Sequence, residues 1–164
     1  MAVETEVLRE LHRLRSRLPL LTGALAAGAD GLVLAQDLPD GQSEGLAALT
    51  AAALGVGRRM VDLAARGEFR ELLVHGAGGY LATYAAGPRA VLTLLADERT
   101  DIGGLHLEGR YSGRRIGELM AGRPADGLPV TRTRRGEPSA RPQSRGRILG
   151  ALPLRIPPQS RHRP

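Results

Sequence analysis

The chain has 164 residues, which is enough for one domain with its own core. It contains no cysteine, which excludes disulfides and Cys-ligated metal sites and fits a reducing cytoplasm, where we expect the protein to act. Residues 1–120 hold 13 arginines and 15 acidic residues, so the net charge of +6 comes from residues 121–164. A nucleic-acid interface on residues 1–120 therefore lacks electrostatic support.

The first predicted element is an amphipathic helix over Val3–Leu18. Apolar residues recur along one face at helical spacing, and Pro19 is a natural end signal because it disfavours the helical conformation in the residue before it. Glu4, Glu6 and Glu10 argue against a secretory signal. No apolar run in the chain approaches the roughly 18 residues of a membrane span.

Two short apolar runs, Leu20–Ala27 and Leu32–Leu38, predict a β-hairpin. Asp30 and Gly31 lie between them, and Asp-Gly is a strong hairpin signal because both residues tolerate a positive φ. We therefore interpret Asp30 as a turn former and not as a catalytic acid.

The longest helical pattern covers Ser43–Gly67 and carries two apolar stripes. The first stripe comprises Leu46, Leu49, Ala53, Val56, Met60 and Leu63; the second comprises Ala47, Leu54, Val61 and Ala65. One stripe is enough to seat a helix on the core of its own domain. The surplus stripe therefore predicts contact with another molecule, and Arg58 lies at the border of the second stripe.

Three further strands are predicted over Phe69–His75, Tyr80–Ala86 and Arg89–Ala96. The glycine-rich residues 76–79 are followed by a strand pattern, so we interpret them as a turn, since a phosphate-binding loop leads into a helix. The third of these strands is apolar on both faces, which predicts a sheet covered on both sides.

A last helix is predicted over Gly104–Met120. Gly109, Gly113 and Gly117 recur along one line of it, although glycine weakens a helix by about 1 kcal/mol relative to alanine. Either these glycines permit a close approach to a neighbouring element, or the helix is short or broken.

From Ala121 onward the chain is rich in proline, arginine and glycine and cannot bury a core, so we predict a disordered tail over residues 121–164. Three interpretations of the tail remain. The first is an electrostatic tether for an anionic membrane, nucleic acid or another acidic partner. The second is a solvated segment without a dedicated role, and the third is the product of an altered reading frame. A tether to lipid would place the protein peripherally at the membrane.

No catalytic or metal-binding motif is found in the sequence. The histidines are not spaced as ligands, and without lysine there is no Walker loop. We interpret His75 as a buried or turn-capping side chain and predict a protein that is not an enzyme and needs no cofactor. The remaining alternative is a small-molecule sensor or enzyme that uses the turn between His75 and Tyr80.

The order of these elements and a few short segments resemble the Roadblock family, the dynein-light-chain-like domain also found in bacteria. The matching segments are Ala29-Asp30-Gly31-Leu32-Val33, Gly79-Tyr80-Leu81, Leu94-Leu95-Ala96-Asp97 and Ile102-Gly103. The resemblance covers about Val3–Met120. It implies an α/β (α+β), profilin-like architecture in which a five-stranded antiparallel sheet lies between one long helix and two terminal helices.

The resemblance also implies a function. Members of the family typically form homodimers through the long helix and the third strand, and bacterial members act as non-catalytic regulators or scaffolds of small Ras-like GTPases, in some bacteria beside a sensor kinase. We therefore expect a dimer interface formed by Ala47, Leu54, Val61 and Ala65. We expect Arg58 and Arg59 to contact the partner. The alternative function is an electrostatic adaptor that binds an anionic partner through the arginine-rich tail.

Overall fold

A computed structural model describes residues 2–39, 41 and 43–122. The helices are α1 (Ala2–Arg17), α2 (Ser43–Leu63) and α3 (Ile102–Ala121), and the strands are β1 (Leu21–Gly28), β2 (Val33–Asp37), β3 (Glu71–Gly76), β4 (Gly79–Ala86) and β5 (Ala90–Ala96). The predicted order of elements is confirmed. The predicted tail lies outside the described residues except for Ala121 and Gly122, of which Ala121 is the last residue of α3.

Two helix boundaries differ from the predicted ones for local reasons. Helix α2 ends at Leu63 because Ala65 has a φ of 52°, a left-handed conformation through which a helix does not continue. Helix α3 begins at Ile102 because the carboxylate of Asp101 accepts hydrogen bonds from the N–H groups of Gly103, at 3.2 Å, and Gly104, at 2.9 Å.

The five strands form one antiparallel sheet in the order β2-β1-β5-β4-β3, so β2 and β3 are its edges. The turn between β1 and β2 is the predicted one. Asp30 accepts a hydrogen bond from the N–H of Leu32 at 3.1 Å, and Gly31 has a φ of 84°. Asp30 is therefore a turn former, as predicted.

Helices α1 and α3 cover one face of the sheet. The core beneath them includes Leu11, Leu14, Leu92, Leu94 and Ile116, all fully buried. Strand β5, in the middle of the sheet, is buried along almost its whole length, which confirms that the sheet is covered on both faces.

The glycine line of α3 faces β4, and α3 is continuous. A Cβ atom at Gly109 would lie 2.3 Å from Cε2 of Tyr84, and one at Gly117 would lie 2.9 Å from the backbone nitrogen of Gly87. Of the two interpretations of this line, the close approach is therefore the right one.

Helix α2 covers part of the opposite face of the sheet, and it does so with the stripe that we expected at the dimer interface. Ala47 and Leu54 are fully buried against Leu25, Ala27 and Val91 of the same chain. The expectation that these two side chains meet a partner is wrong, because they seat α2 on its own sheet.

The reason for this error is that the inward line of α2 contains residues that do not count as apolar. Thr50 is buried and its hydroxyl donates to the carbonyl of Ala47 at 3.1 Å, and Gly57 makes room for the ring of Phe69. Val61, at the end of this line, is half-buried, and Ala65 lies beyond the helix and is exposed.

Candidate functional site

The outer side of α2 carries the other apolar stripe, and this stripe is exposed. The exposed fractions are 70% for Leu49, 60% for Val56, 63% for Met60 and 74% for Leu63. Residues at this spacing lie on one face of a helix. Helix α2 is therefore apolar on the side that faces away from its own core.

The sheet beside α2 is also apolar and only partly covered. Leu72 and Val74 of β3 are exposed, and Val74 pairs with Leu81, which in turn pairs with Leu95. Leu81 and Leu95 do not belong to the buried cluster beneath α2, and both remain partly exposed. Helix α2 thus leaves one end of this face of the sheet open.

These two features adjoin each other on the α2 side of the sheet, since Met60 and Leu72 line the same depression. We call them together the α2–β3 surface, which comprises Leu49, Val56, Met60, Leu63, Leu72 and Val74. Monomeric proteins rarely expose large contiguous apolar patches, and those that occur usually mark interaction sites. The surface is therefore the candidate functional site.

Strand β3 adds an open backbone edge to this surface. It pairs with β4 on one side only, and none of its six residues is buried. An edge strand of this kind presents unpaired N–H and C=O groups that favour pairing with another strand.

The two arginines predicted to contact a partner have different surroundings. Arg58 donates hydrogen bonds to the carbonyl oxygens of Gly87, at 3.1 Å, and Pro88, at 3.4 Å, so it is tied to the turn between β4 and β5. Arg59 is exposed on the outer side of α2, next to the apolar stripe. Of the two, Arg59 is the better placed for contact with a partner.

A cleft of about 800 Å³ lies between α2 and α3, beside the start of β3. Its charged lining residues are Arg58, Asp62, Glu68, Arg70, Arg110, Arg114 and Glu118. Arg110 is neutralised by its ion pair with Glu71. The other charged lining residues are three arginines and three acidic residues, so the cleft favours neither an anion nor a cation.

A hydrogen-bonded cluster ties β3 to α3. The Nε of Arg110 donates to Glu71 at 2.6 Å, and Nδ1 of His106 lies 3.1 Å from the hydroxyl of Tyr84. The hydrogen bond from Arg110 holds the pKa of Glu71 below its usual value, and burial raises the pKa of Tyr84. Every polar group of this cluster has a partner, so its arrangement is that of a structural contact.

Of the two roles expected for His75, the buried one is wrong, because the side chain is exposed. Its ring stacks on Tyr80, the residue paired with it beside the turn between β3 and β4, at a centroid distance of 4.4 Å. Within residues 2–39, 41 and 43–122, no group of three or more His, Asp or Glu side chains is arranged to hold a metal ion. In the same part of the chain, no helix combines the length and the apolar character needed to cross a bilayer.

The sequence model of the Roadblock/LC7 domain matches residues 7–96. The chain belongs to the Roadblock/LC7 domain family. The predicted resemblance is thereby confirmed, and Roadblock/LC7 domains are non-enzymatic regulatory domains. No curated protein sequence gives a significant match to this chain.

Solved structures share the fold of this Roadblock/LC7 domain. An MglB protein in a tetrameric arrangement is 22% identical with a TM-score of 0.66, over 73% of this chain and 90% of its own. A Roadblock/LC7 domain from Streptomyces avermitilis is 23% identical with a TM-score of 0.65, over 70% and 97%. Profilin II from Acanthamoeba castellanii is 16% identical with a TM-score of 0.51, over 71% and 97%, which supports the predicted profilin-like architecture.

The α2–β3 surface contains none of the four residues named for the predicted interface, although the resemblance placed the long helix and the third strand there. The exposed stripe of α2 was recognised in the sequence, but it was assigned to the intrachain core. Leu72, Leu73 and Val74 are three consecutive apolar residues, so the sequence does not show which of them stay exposed.

Proposed function

We propose that this Roadblock/LC7 protein is a homodimeric, non-catalytic regulator or scaffold that binds a small Ras-like GTPase and modulates its nucleotide cycle or location. The observation that carries the proposal is the α2–β3 surface, since six exposed apolar side chains on one side of the sheet are typical of an interaction site.

A second copy of the chain is the partner that fits this surface best. Helix α2 covers one end of its face of the sheet and leaves the end with Val74, Leu81 and Leu95 open. A two-fold axis beside β3 would place the α2 helices of both copies side by side and bury both exposed stripes. The tetrameric arrangement of the MglB relative supports self-association of this fold.

The GTPase part of the proposal rests on the family and on Arg59. Arg59 lies beside the apolar stripe of α2 and is not one of its members, so we place it at the rim of the contact between two copies. An arginine in this position provides a charged rim contact, which mainly affects the association rate and specificity.

Light scattering on the full chain tests the dimer. We expect a dimer at micromolar concentration, and a monomer for Met60→Glu, because a charge would be buried at the interface. Asp62→Ala, on the same turn of α2 but outside the stripe, is the matched control and should remain dimeric. A wild-type monomer at micromolar concentration would contradict the proposal.

Nucleotide turnover tests the partner. GTP hydrolysis and GDP release by a Ras-like GTPase from the same genome are measured with and without the protein. An altered rate identifies a regulator, and binding without an altered rate identifies a scaffold. Arg59→Glu should weaken either effect while the dimer persists, and the absence of binding to every such GTPase would refute this part of the proposal.

The charge of the tail favours a second candidate function, an electrostatic adaptor. Residues 121–164 carry 10 arginines against two acidic residues. This function predicts salt-sensitive binding of the full chain to vesicles of anionic lipid or to nucleic acid. A chain that ends at Gly122 should lose that binding, and retention of binding by the shortened chain would exclude the adaptor function.

A further inference from the structure

Met60 carries the accessible sulfur of the α2–β3 surface. The chain has three methionines and no cysteine, and in a chain without thiols the thioether of methionine is the common target of mild oxidants. Met120 belongs to the core between the sheet and helices α1 and α3 and is 7% exposed, whereas Met60 is 63% exposed. Of the two methionines in residues 2–39, 41 and 43–122, Met60 is therefore the one that a dissolved oxidant can reach.

Met60 connects the two parts of the α2–β3 surface. Val56 and Leu63 are its neighbours along the exposed stripe, because residues four and three positions apart share a helix face. Leu72 of β3 lines the same depression as Met60, which has a volume of about 610 Å³. A change in the polarity of this one side chain therefore affects both the helical part and the strand part of the surface.

Oxidation changes the side chain of methionine from apolar to polar. A lone pair of the sulfur attacks one oxygen of hydrogen peroxide, so the S–O bond forms while the O–O bond breaks. The hydroxide that leaves takes up the proton of the transferred oxygen and becomes water. The sulfur is oxidised by two electrons and the peroxide is reduced by two. The sulfoxide oxygen accepts hydrogen bonds, whereas the thioether is only a weak acceptor.

We propose that Met60 is a reversible oxidation site and that its sulfoxide, formed by hydrogen peroxide or another hydroperoxide, separates the two copies of the proposed homodimer. The inference rests on the proposed homodimer and adds its regulation by oxidants. Oxidation takes place in the monomer, where Met60 is exposed, and the dimer protects the side chain. Each oxidised chain is thereby withdrawn from the equilibrium between monomer and dimer.

The sulfoxide disfavours the dimer because its oxygen would be buried among side chains that donate no hydrogen bond. Arg66 and Arg70 line the depression beside Met60, but both are exposed, so a hydrogen bond from either would replace one to water and contribute little. A symmetric dimer buries two such oxygens. The dissociation constant of the oxidised dimer should therefore rise by about tenfold or more, since a buried polar group without a hydrogen bond is unfavourable.

Peroxide treatment of the full chain tests the site. Circular dichroism verifies that the treated chain is folded, peptide mass spectrometry locates the added oxygen, and analytical ultracentrifugation gives the dissociation constant. We expect oxygen on Met60 and not on Met120, together with a weaker dimer. Methionine sulfoxide reductase with a dithiol should restore the dimer, and the dithiol finds no cysteine in this chain. A folded chain in which Met60 resists oxidation, or an oxidised chain with an unchanged constant, would overturn the proposal.

Two variants identify the sulfur that is responsible. Each is compared with its own untreated form, so only the response to peroxide matters. Met60→Leu removes the exposed thioether, and its dissociation constant should be the same before and after treatment. Met120→Leu retains Met60 and should respond as the wild type does. A response that persists in Met60→Leu, or that is lost in Met120→Leu, would assign the effect to another methionine and refute the proposal.

The rate of oxidation separates this inference from the homodimer itself. Because the dimer covers Met60, its oxidation by a fixed concentration of peroxide should slow down as the protein concentration rises above the dissociation constant. If the chain dimerises by light scattering but the rate does not depend on protein concentration, Met60 lies outside the interface, which overturns the inference but not the homodimer. An untreated chain that is monomeric at micromolar concentration refutes both.

Discussion

Gly109 of α3 and Tyr84 of β4 are in direct contact, because a Cβ atom at Gly109 would lie 2.3 Å from Cε2 of the tyrosine ring. The ring is fully buried, and its hydroxyl donates to the carbonyl of Leu105 at 3.3 Å. The unfavourable effect of glycine on the helix is therefore offset by the packing of a large aromatic side chain beneath it.

This contact predicts that Gly109→Ala destabilises the protein. Alanine improves the intrinsic helix propensity by about 1 kcal/mol, but overpacking against a buried ring costs about 1–3 kcal/mol, so the steric effect outweighs the propensity. Gly55→Ala in α2 is the control, since nothing lies within 4 Å of its added methyl group. Urea unfolding should give a lower free energy of unfolding for Gly109→Ala and a higher one for Gly55→Ala. A stabilised Gly109→Ala would refute the close approach.

The two stripes of α2 predict two different phenotypes. Leu54→Ala removes a fully buried side chain beneath α2 and should lower the free energy of unfolding by about 2–4 kcal/mol. Val56→Ala removes an exposed side chain of the α2–β3 surface and should leave the folded monomer intact while it weakens the dimer. Thermal unfolding over a range of protein concentrations distinguishes them, because a dimer-specific effect depends on concentration and the loss of core packing does not. Equal effects of the two variants would contradict the assignment of the stripes.

The sequence was sufficient to predict the fold because most elements carry local signals. The hairpin at Asp30 and Gly31, the alternation in β4 and the apolar run of β5 each depend on neighbouring residues only. Neighbouring residues do not show which of the two stripes of α2 faces the sheet, since this depends on how the helix packs against residues distant in the sequence. On the inward line of α2, Gly57 makes room for the ring of Phe69, and neither residue shows this relationship in the sequence.

A third prediction concerns Glu10, a buried carboxylate between α1 and α3. It accepts hydrogen bonds from Nε of Arg13 at 3.0 Å and from the hydroxyl of Ser112 at 2.6 Å, and Nε of Arg115 lies 3.2 Å away. Glu10→Ala removes their common acceptor and should lower the free energy of unfolding by about 1–3 kcal/mol, because the buried Ser112 hydroxyl loses an acceptor whereas Arg13 and Arg115 remain partly exposed to water. Glu6→Ala, which removes an exposed pair with Arg9, should change it by less than about 1 kcal/mol. Chemical denaturation gives the free energy of unfolding of both variants. An unchanged free energy of unfolding for Glu10→Ala would contradict the role of this contact.

The last prediction is the acid sensitivity of the fold. Burial alone would raise the pKa of Glu10, but the hydrogen bonds from Arg13 and Ser112 and the charges of Arg13 and Arg115 outweigh it, so the pKa lies below the usual 4.5. The pKa of Glu71 is also lowered, chiefly by the hydrogen bond from Arg110.

A group whose pKa is lower in the folded state stabilises the fold fully above its unfolded pKa, and this contribution disappears as the pH falls through the folded pKa. The free energy of unfolding should therefore decrease as the pH falls below about 4.5. Glu10→Gln combined with Glu71→Gln should be less stable than the wild type at pH 7 and should lose less stability between pH 6 and pH 3. The measurement is urea unfolding across this pH range. Parallel curves for the variant and the wild type would show that these two carboxylates do not cause the acid sensitivity.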